Sequence, residues 1–132
     1  MSKLTLNPDC VRDVLLAMEQ CEFGEYHTIA SLHEDLSQYS EEELCYTCLK
    51  LSEGNLLSIT SLPVQRQLIP GIKSINDLTY EGHLFLANIH KDTVWAHIKG
   101  ISSKVGAHSL TALTQIAANV VTMLIKQEFG ML

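Results

Sequence analysis

A mainly helical α+β domain, built from a first helix, a helix-turn-helix, a two-stranded hairpin and trailing helices, is what three features of this sequence predict. Apolar residues recur at helical spacing behind Asn7, Pro8 and Asp9. Ser40 and Glu43 stand at the spacing of a capping box, with Gly54 beyond them where such a helix would stop. Two β-prone runs, LLSITSL and IKSIND, flank a segment holding two prolines and a glycine. At 132 residues, with 46% hydrophobic and 18% charged residues, the chain is long enough to bury one core without disulfides or metal.

Each element follows from local chemistry. Asn7 can cap the first helix, Pro8 suits its first position, and Asp9 lies near the positive end of its dipole. Val11, Val14, Leu15 and Met18 then form one buried face, and the helix is expected to fade around Cys21 to Gly24. HTIASLHEDL is a weaker helical segment with Ile29, Leu32 and Leu36 on one side. In QYSEEELCYTCLKLSEGNLL, Leu44, Cys48 and Leu51 make an apolar stripe that Cys45 widens. LLSITSL and IKSIND pair as a hairpin, and the loop PVQRQLIPG is long for a hairpin, so its tip is expected to be mobile. LTYEGHLFLANIHKDTVWAHIKG reads as two helical pieces, and a last helix starts near Ser109. This is the order of a winged helix-turn-helix with a two-stranded wing, covering residues 1–105. Residues 106–132 form a C-terminal helical extension that either packs on the core or makes a dimer contact, in one domain overall.

Two segments carry a family resemblance. YSEEELCYTCLKLSEGNLL and LTYEGHLFLANIHKDTVWAHIK resemble short phage- and prophage-encoded winged-helix proteins classed as a domain of unknown function. The matching positions are Tyr39 to Glu43 at the helix start, then Leu78 to His83, Phe85 and Leu86, and Asp92 to Trp95. Thr47 stands where the family pattern has histidine, and Tyr80 where it has tryptophan. The resemblance implies the fold and a mobile-element origin, and it implies no activity.

Reactive-looking groups have structural readings. Thr79 caps a helix, Gly82 allows close backbone packing, His83 is expected to be a hydrogen-bonding strut, and Trp95 joins Phe85, Leu86, Ile89 and Ile98 in the core. No nucleophile elbow or triad accompanies His83, so no catalytic residue is assigned and a non-enzyme is expected. His83, His90 and His97 lack the i, i+4 spacing of a helical chelate, and Cys45 and Cys48 lack a second tight pair. No metal site and no cofactor are expected, and the thiols of Cys10, Cys21, Cys45 and Cys48 are expected reduced and mostly buried.

Charge is polarised along the chain. Glu19 to Glu53 carries nine acidic residues and one basic, a balance of −8, whereas Gly54 to Lys126 carries six basic and three acidic, a balance of +3. An end rich in Glu41, Glu42 and Glu43 would repel a duplex from the second helix of the helix-turn-helix. The expected function is therefore non-enzymatic binding of a protein partner, with Glu41, Glu42, Tyr46 and Lys50 as its contacts. The alternative is a DNA-binding regulator using Lys50, Arg66, Lys73, Lys91 and Lys99. Self-association is also expected, through a seam of Leu113, Ile116, Val120 and Leu124 on the last helix. Met1 to Asn7 has neither a basic start nor an apolar run, and the longest apolar segment falls short of the ~20 residues a membrane span needs, so a cytoplasmic protein is expected.

Overall fold

The computed structural model describes residues 5–62 and 71–130, which form six helices and one antiparallel hairpin. Helix α1 (Pro8–Glu19) starts as its sequence dictates: the Asn7 side chain accepts from the Asp9 amide at 3.1 Å, and Pro8 fills the first turn. Helix α2 (Ile29–Asp35) carries a reciprocal capping box, Thr28 Oγ1 accepting from the Ser31 amide at 3.1 Å and Ser31 Oγ from the Thr28 amide at 2.9 Å.

Helix α3 (Glu41–Glu53) is capped by Ser40, whose hydroxyl accepts from the Glu43 amide at 3.1 Å. The predicted box is only half made, because Glu43 turns to accept from the Asn7 amide side chain at 3.1 Å and so ties α3 to the start of α1. Gly54 caps the C-terminus of α3 as expected, its amide donating to Lys50 O at 2.9 Å, though not through a left-handed conformation. Its φ is −79°, and the left-handed residue that ends the helix is Asn55, at φ 63°. Gly54 instead leaves room for another helix, since a Cβ there would meet Leu110 Cδ2 at 2.6 Å.

Strands β1 (Leu57–Leu62) and β2 (Gly71–Leu78) pair antiparallel with two register shifts. The loop tip between them, and Arg66 with it, lies outside the described residues. His27, between α1 and α2, bridges Ile75 of β2 by two backbone hydrogen bonds of 2.9 and 2.7 Å, which lays a third chain segment beside the hairpin.

The remaining helices are α4 (Tyr80–Ile89), α5 (Asp92–Val105) and α6 (Leu110–Glu128). Ser102 holds the α5–α6 turn, its hydroxyl donating to Ala107 O at 2.5 Å, and Gly106 supplies the positive φ of 68° that stops α5. The faces predicted for α1 and α3 converge: Val11, Val14, Leu15, Leu44, Cys48 and Leu51 are fully buried. Ile75, Leu86, Ile89, Ile98 and Leu113 close over them from the hairpin and the trailing helices. Each such side chain contributes about 2 kcal/mol by leaving water.

Helix α6 corrects the predicted dimer seam. Leu113, Ala117 and Val120 are buried against α4 and α5, so two of the four seam residues already belong to the chain's own core. Ile116 is half-buried, and only Leu124, 40% exposed, stands clear. No helix among the described residues is long and apolar enough to cross a membrane.

Candidate functional site

The LTYEGH stretch fastens α4 to the end of α3. Thr79 Oγ1 accepts from the Gly82 amide at 3.0 Å and donates to Asn55 O at 2.6 Å, while the Thr79 amide donates to Leu56 O at 3.2 Å. Gly82 is buried at this crossing, and a Cβ there would sit 2.0 Å from Leu56 O. The expectations for Thr79 and Gly82 thus have a physical basis in one contact. His83 does not act as a strut: it is exposed, and its ring makes no hydrogen bond among the described residues. The first turn of α4 rotates it away from the face that meets Leu56.

The DTVW stretch closes a second fastening, onto α1. Trp95 is buried and donates from Nε1 to Asp9 Oδ1 at 3.0 Å. Lys99 donates to the same oxygen at 2.9 Å, and the Lys99 ammonium and the Arg12 guanidinium lie 5.9 and 6.0 Å from the indole centroid. Arg12 further donates to the carbonyls of Ile89 and His90, at 3.0 and 2.8 Å, and to Asp92 at 2.6 Å. One guanidinium thereby satisfies the C-terminal carbonyls of α4 and the first acidic residue of α5. Sequence reasoning missed Arg12, whose partners lie 77 to 80 positions away.

Burial works against the Asp9 carboxylate, but hydrogen bonds from Lys99 and Trp95, with the charges of Lys99 and Arg12, together outweigh it and lower its pKa. The folded carboxylate therefore titrates below the ordinary aspartate value of about 3.9, and its contribution holds above that value and is lost as pH falls through the lower one. Trp95 is the only tryptophan. Its indole N–H resonance is expected to stay constant from neutral pH until acid protonates Asp9 below about pH 4. In Asp9→Asn it should be displaced already at neutral pH; an unmoved resonance there would refute the contact.

Of the four free thiols, Cys10 and Cys48 are buried as expected, whereas Cys21 and Cys45 are half-buried. Burial pushes Cys10 up to about 11 and raises Cys48 as well, so both stay protonated at neutral pH, and Thr47 Oγ1 donates to Cys10 Sγ at 3.3 Å. Tyr39 donates to Asp13 at 2.6 Å, and burial together with that carboxylate raises its pKa. No three His, Cys, Asp or Glu side chains converge on a metal-sized site among the described residues.

The candidate contacts for a protein partner lie on α3 and beside it. Glu41 and Glu42 are exposed at its first turn. One helix surface onward, Tyr46 and Lys50 line a groove of about 630 Å³ whose other walls include Leu84 and Phe85 of α4 and Leu110 of α6. Lys50 stands 5.5 Å from the Tyr46 ring centroid and donates to Glu53 at 2.8 Å. Leu84, 46% exposed, gives the groove an apolar lip that no sequence pattern marked.

The basic candidates are distributed over three elements. Lys50 is engaged by Glu53 on α3, and Lys99 by Asp9 on α5. Lys73 is exposed on β2, and Lys91 is exposed at the N-cap of α5.

A mainly helical α+β domain with an acidic, groove-lined third helix is the class of protein this geometry defines. Residues 5–108 match the family described as hypothetical protein (DUF2513), and the chain belongs to that family. No curated protein and no solved structure matches it.

Proposed function

We propose that this chain is a winged-helix interaction protein of phage or mobile-element origin, which binds a protein partner through α3 and its groove and catalyses no reaction. The winged-helix reading is supported by the order α1, α2, α3, hairpin, and by the His27–Ile75 bridge, which adds a one-residue third strand beside the wing. The origin is carried over from the family resemblance alone.

The observation that carries the function is electrostatic. From Glu19 to Leu49 there are eight acidic residues and no basic one, and the exposed first turn of α3 is made of them. A helix with that end repels phosphates and attracts a cationic protein surface, while Tyr46 and Leu84 offer apolar contact beside it. Affinity capture from the source cell should recover a partner that survives nuclease treatment. The double reversal Glu41→Lys, Glu42→Lys should weaken that partner's binding by roughly tenfold or more, chiefly at low salt. Recovered material that disappears with nuclease would refute the reading.

A second reading, duplex binding through the wing and trailing helices, draws support from the exposed Lys73, Lys91 and Lys104. Under that reading, affinity for duplex falls steeply with salt and drops when Arg66 and Lys73 are neutralised.

A further inference from the structure

Between α1 and α2 the chain displays two aromatic side chains that its own core does not use. Glu22 to Glu25 is a β-turn, closed by the Glu25 amide donating to Glu22 O at 2.9 Å, with Gly24 at a φ of 88° in its third position. Phe23 stands fully exposed at the corner of this turn, a place that proline and small polar residues ordinarily fill, and Tyr26 is 64% exposed just beyond it. The segment is tied down at both ends. At one the Cys21 amide donates to Met18 O at 3.2 Å, and at the other stands the His27–Ile75 bridge.

Phe23 and Tyr26 border a groove of about 520 Å³ that runs between this loop, the end of α1, β2 and α4. Four carboxylates line it, those of Glu19, Glu22, Glu25 and Asp77, and no lysine or arginine does. Glu19 pairs with His90 at 3.0 Å, but no ion pair among the described residues involves Glu22, Glu25 or Asp77. Their negative charge bears on a neighbour. The Cys21 thiol, in the same wall, is raised by burial and then by the charges of Glu25, Asp35 and Asp77. His83, turned away from Leu56, also lines this groove.

We propose that this groove docks an arginine-bearing segment of a protein partner, with Phe23 and Tyr26 as the surfaces on which guanidinium groups stack. Carboxylates alone would attract any cation; the exposed rings narrow the choice. A guanidinium lies flat on an aromatic face, pairs fork to fork with a carboxylate, and is more weakly hydrated than an ammonium. Phosphate-bearing surfaces are repelled, and a second copy of a chain of net charge −6 brings no excess of base to offset the groove. No three His, Cys, Asp or Glu side chains converge on a metal-sized site among the described residues. Aromatic anchors beside charge on an anchored loop have the make-up of an interaction hot spot, and such a surface needs little ordering when the partner arrives. None of the lining residues belongs to α3, so the proposal stands apart from the α3 reading.

Fluorescence anisotropy of a labelled octa-arginine peptide, titrated with the full chain, tests it. One saturable site is expected, weakening as salt rises. Phe23→Ala and Tyr26→Ala should each weaken binding by about threefold or more, and Glu22→Gln with Glu25→Gln by about tenfold. These four positions are exposed, so the far-ultraviolet circular dichroism of each variant should match the parent. Octa-lysine should bind several-fold more weakly than octa-arginine. Glu41→Gln with Glu42→Gln should leave the affinity within about twofold, which separates this groove from α3. Absence of binding would overturn the proposal, as would binding that the aromatic variants leave unchanged or that follows Glu41 and Glu42 instead. Octa-lysine or spermine binding as tightly as octa-arginine would overturn it too, in favour of a site for cations at large.

Discussion

Gly82→Ala is expected to lower the melting temperature by about 10 °C or more, a loss of about 3 kcal/mol for a domain of this size. The added methyl would stand 2.0 Å from Leu56 O and 3.0 Å from Leu56 C. Both are backbone atoms, so no rotamer change relieves the clash, and α4 must move away from the α3–β1 turn. That movement would also stretch the Thr79 hydroxyl from Asn55 O. Gly100→Ala supplies the contrast, because a Cβ there meets nothing within 4 Å on an exposed face of α5. Replacing a mid-helix glycine at such a site should stabilise by about 0.5–1 kcal/mol. Thermal denaturation of the two variants side by side checks both signs, and equal effects would refute the close approach at Gly82.

Arg12→Ala should cost about 3 kcal/mol, again near 10 °C in melting temperature. The Arg12 side chain is only 13% exposed, and its loss would leave Ile89 O and His90 O without their charged donor and remove one face of the Trp95 stack. Arg12→Lys should recover at most part of this, since an ammonium lacks the planar fork that reaches both carbonyls and Asp92 at once. Asp92→Asn should cost well under 1 kcal/mol, because the Asp92 carboxylate is 93% exposed and its ion pair is screened. If Asp92→Asn proved as damaging as Arg12→Ala, the ion pair rather than the carbonyl clasp would be what holds α4, α5 and α1 together.

These two sites show what was legible in the sequence and what was not. Caps are local, and Asn7, Ser40, Thr79 and Ser109 each cap the helix expected of them. Buried faces are periodic, so the core positions of α1, α3 and α4 were readable as well. The reason for Gly82 was not, because Leu56 approaches it only after the chain has turned through the hairpin. Arg12 carries no such mark, since nothing within a few residues of it indicates a partner. Periodicity also failed on α6, where two apolar stripes lie side by side and only the folded core decides which one stays outside. Of the candidate interaction surface, Tyr46 and Lys50 were found from their places on α3. The opposing wall of Leu84 and Leu110 comes from elements far along the chain and needed the structure.

The His27–Ile75 bridge has a consequence for how this chain reaches its fold. Its two hydrogen bonds close a ring that contains α2, α3 and β1, and joining ends separated by some four dozen residues carries an entropic toll of about 3 kcal/mol beyond a fixed constant. Once shut, the ring locks β2 in place: a slip of one residue would turn Ile75, now fully buried, toward water and break both bonds together. The order of events is thereby constrained. The helices before the wing must be near their final places when His27 and Ile75 join, and a single residue pair serves as the latch that registers the hairpin against them.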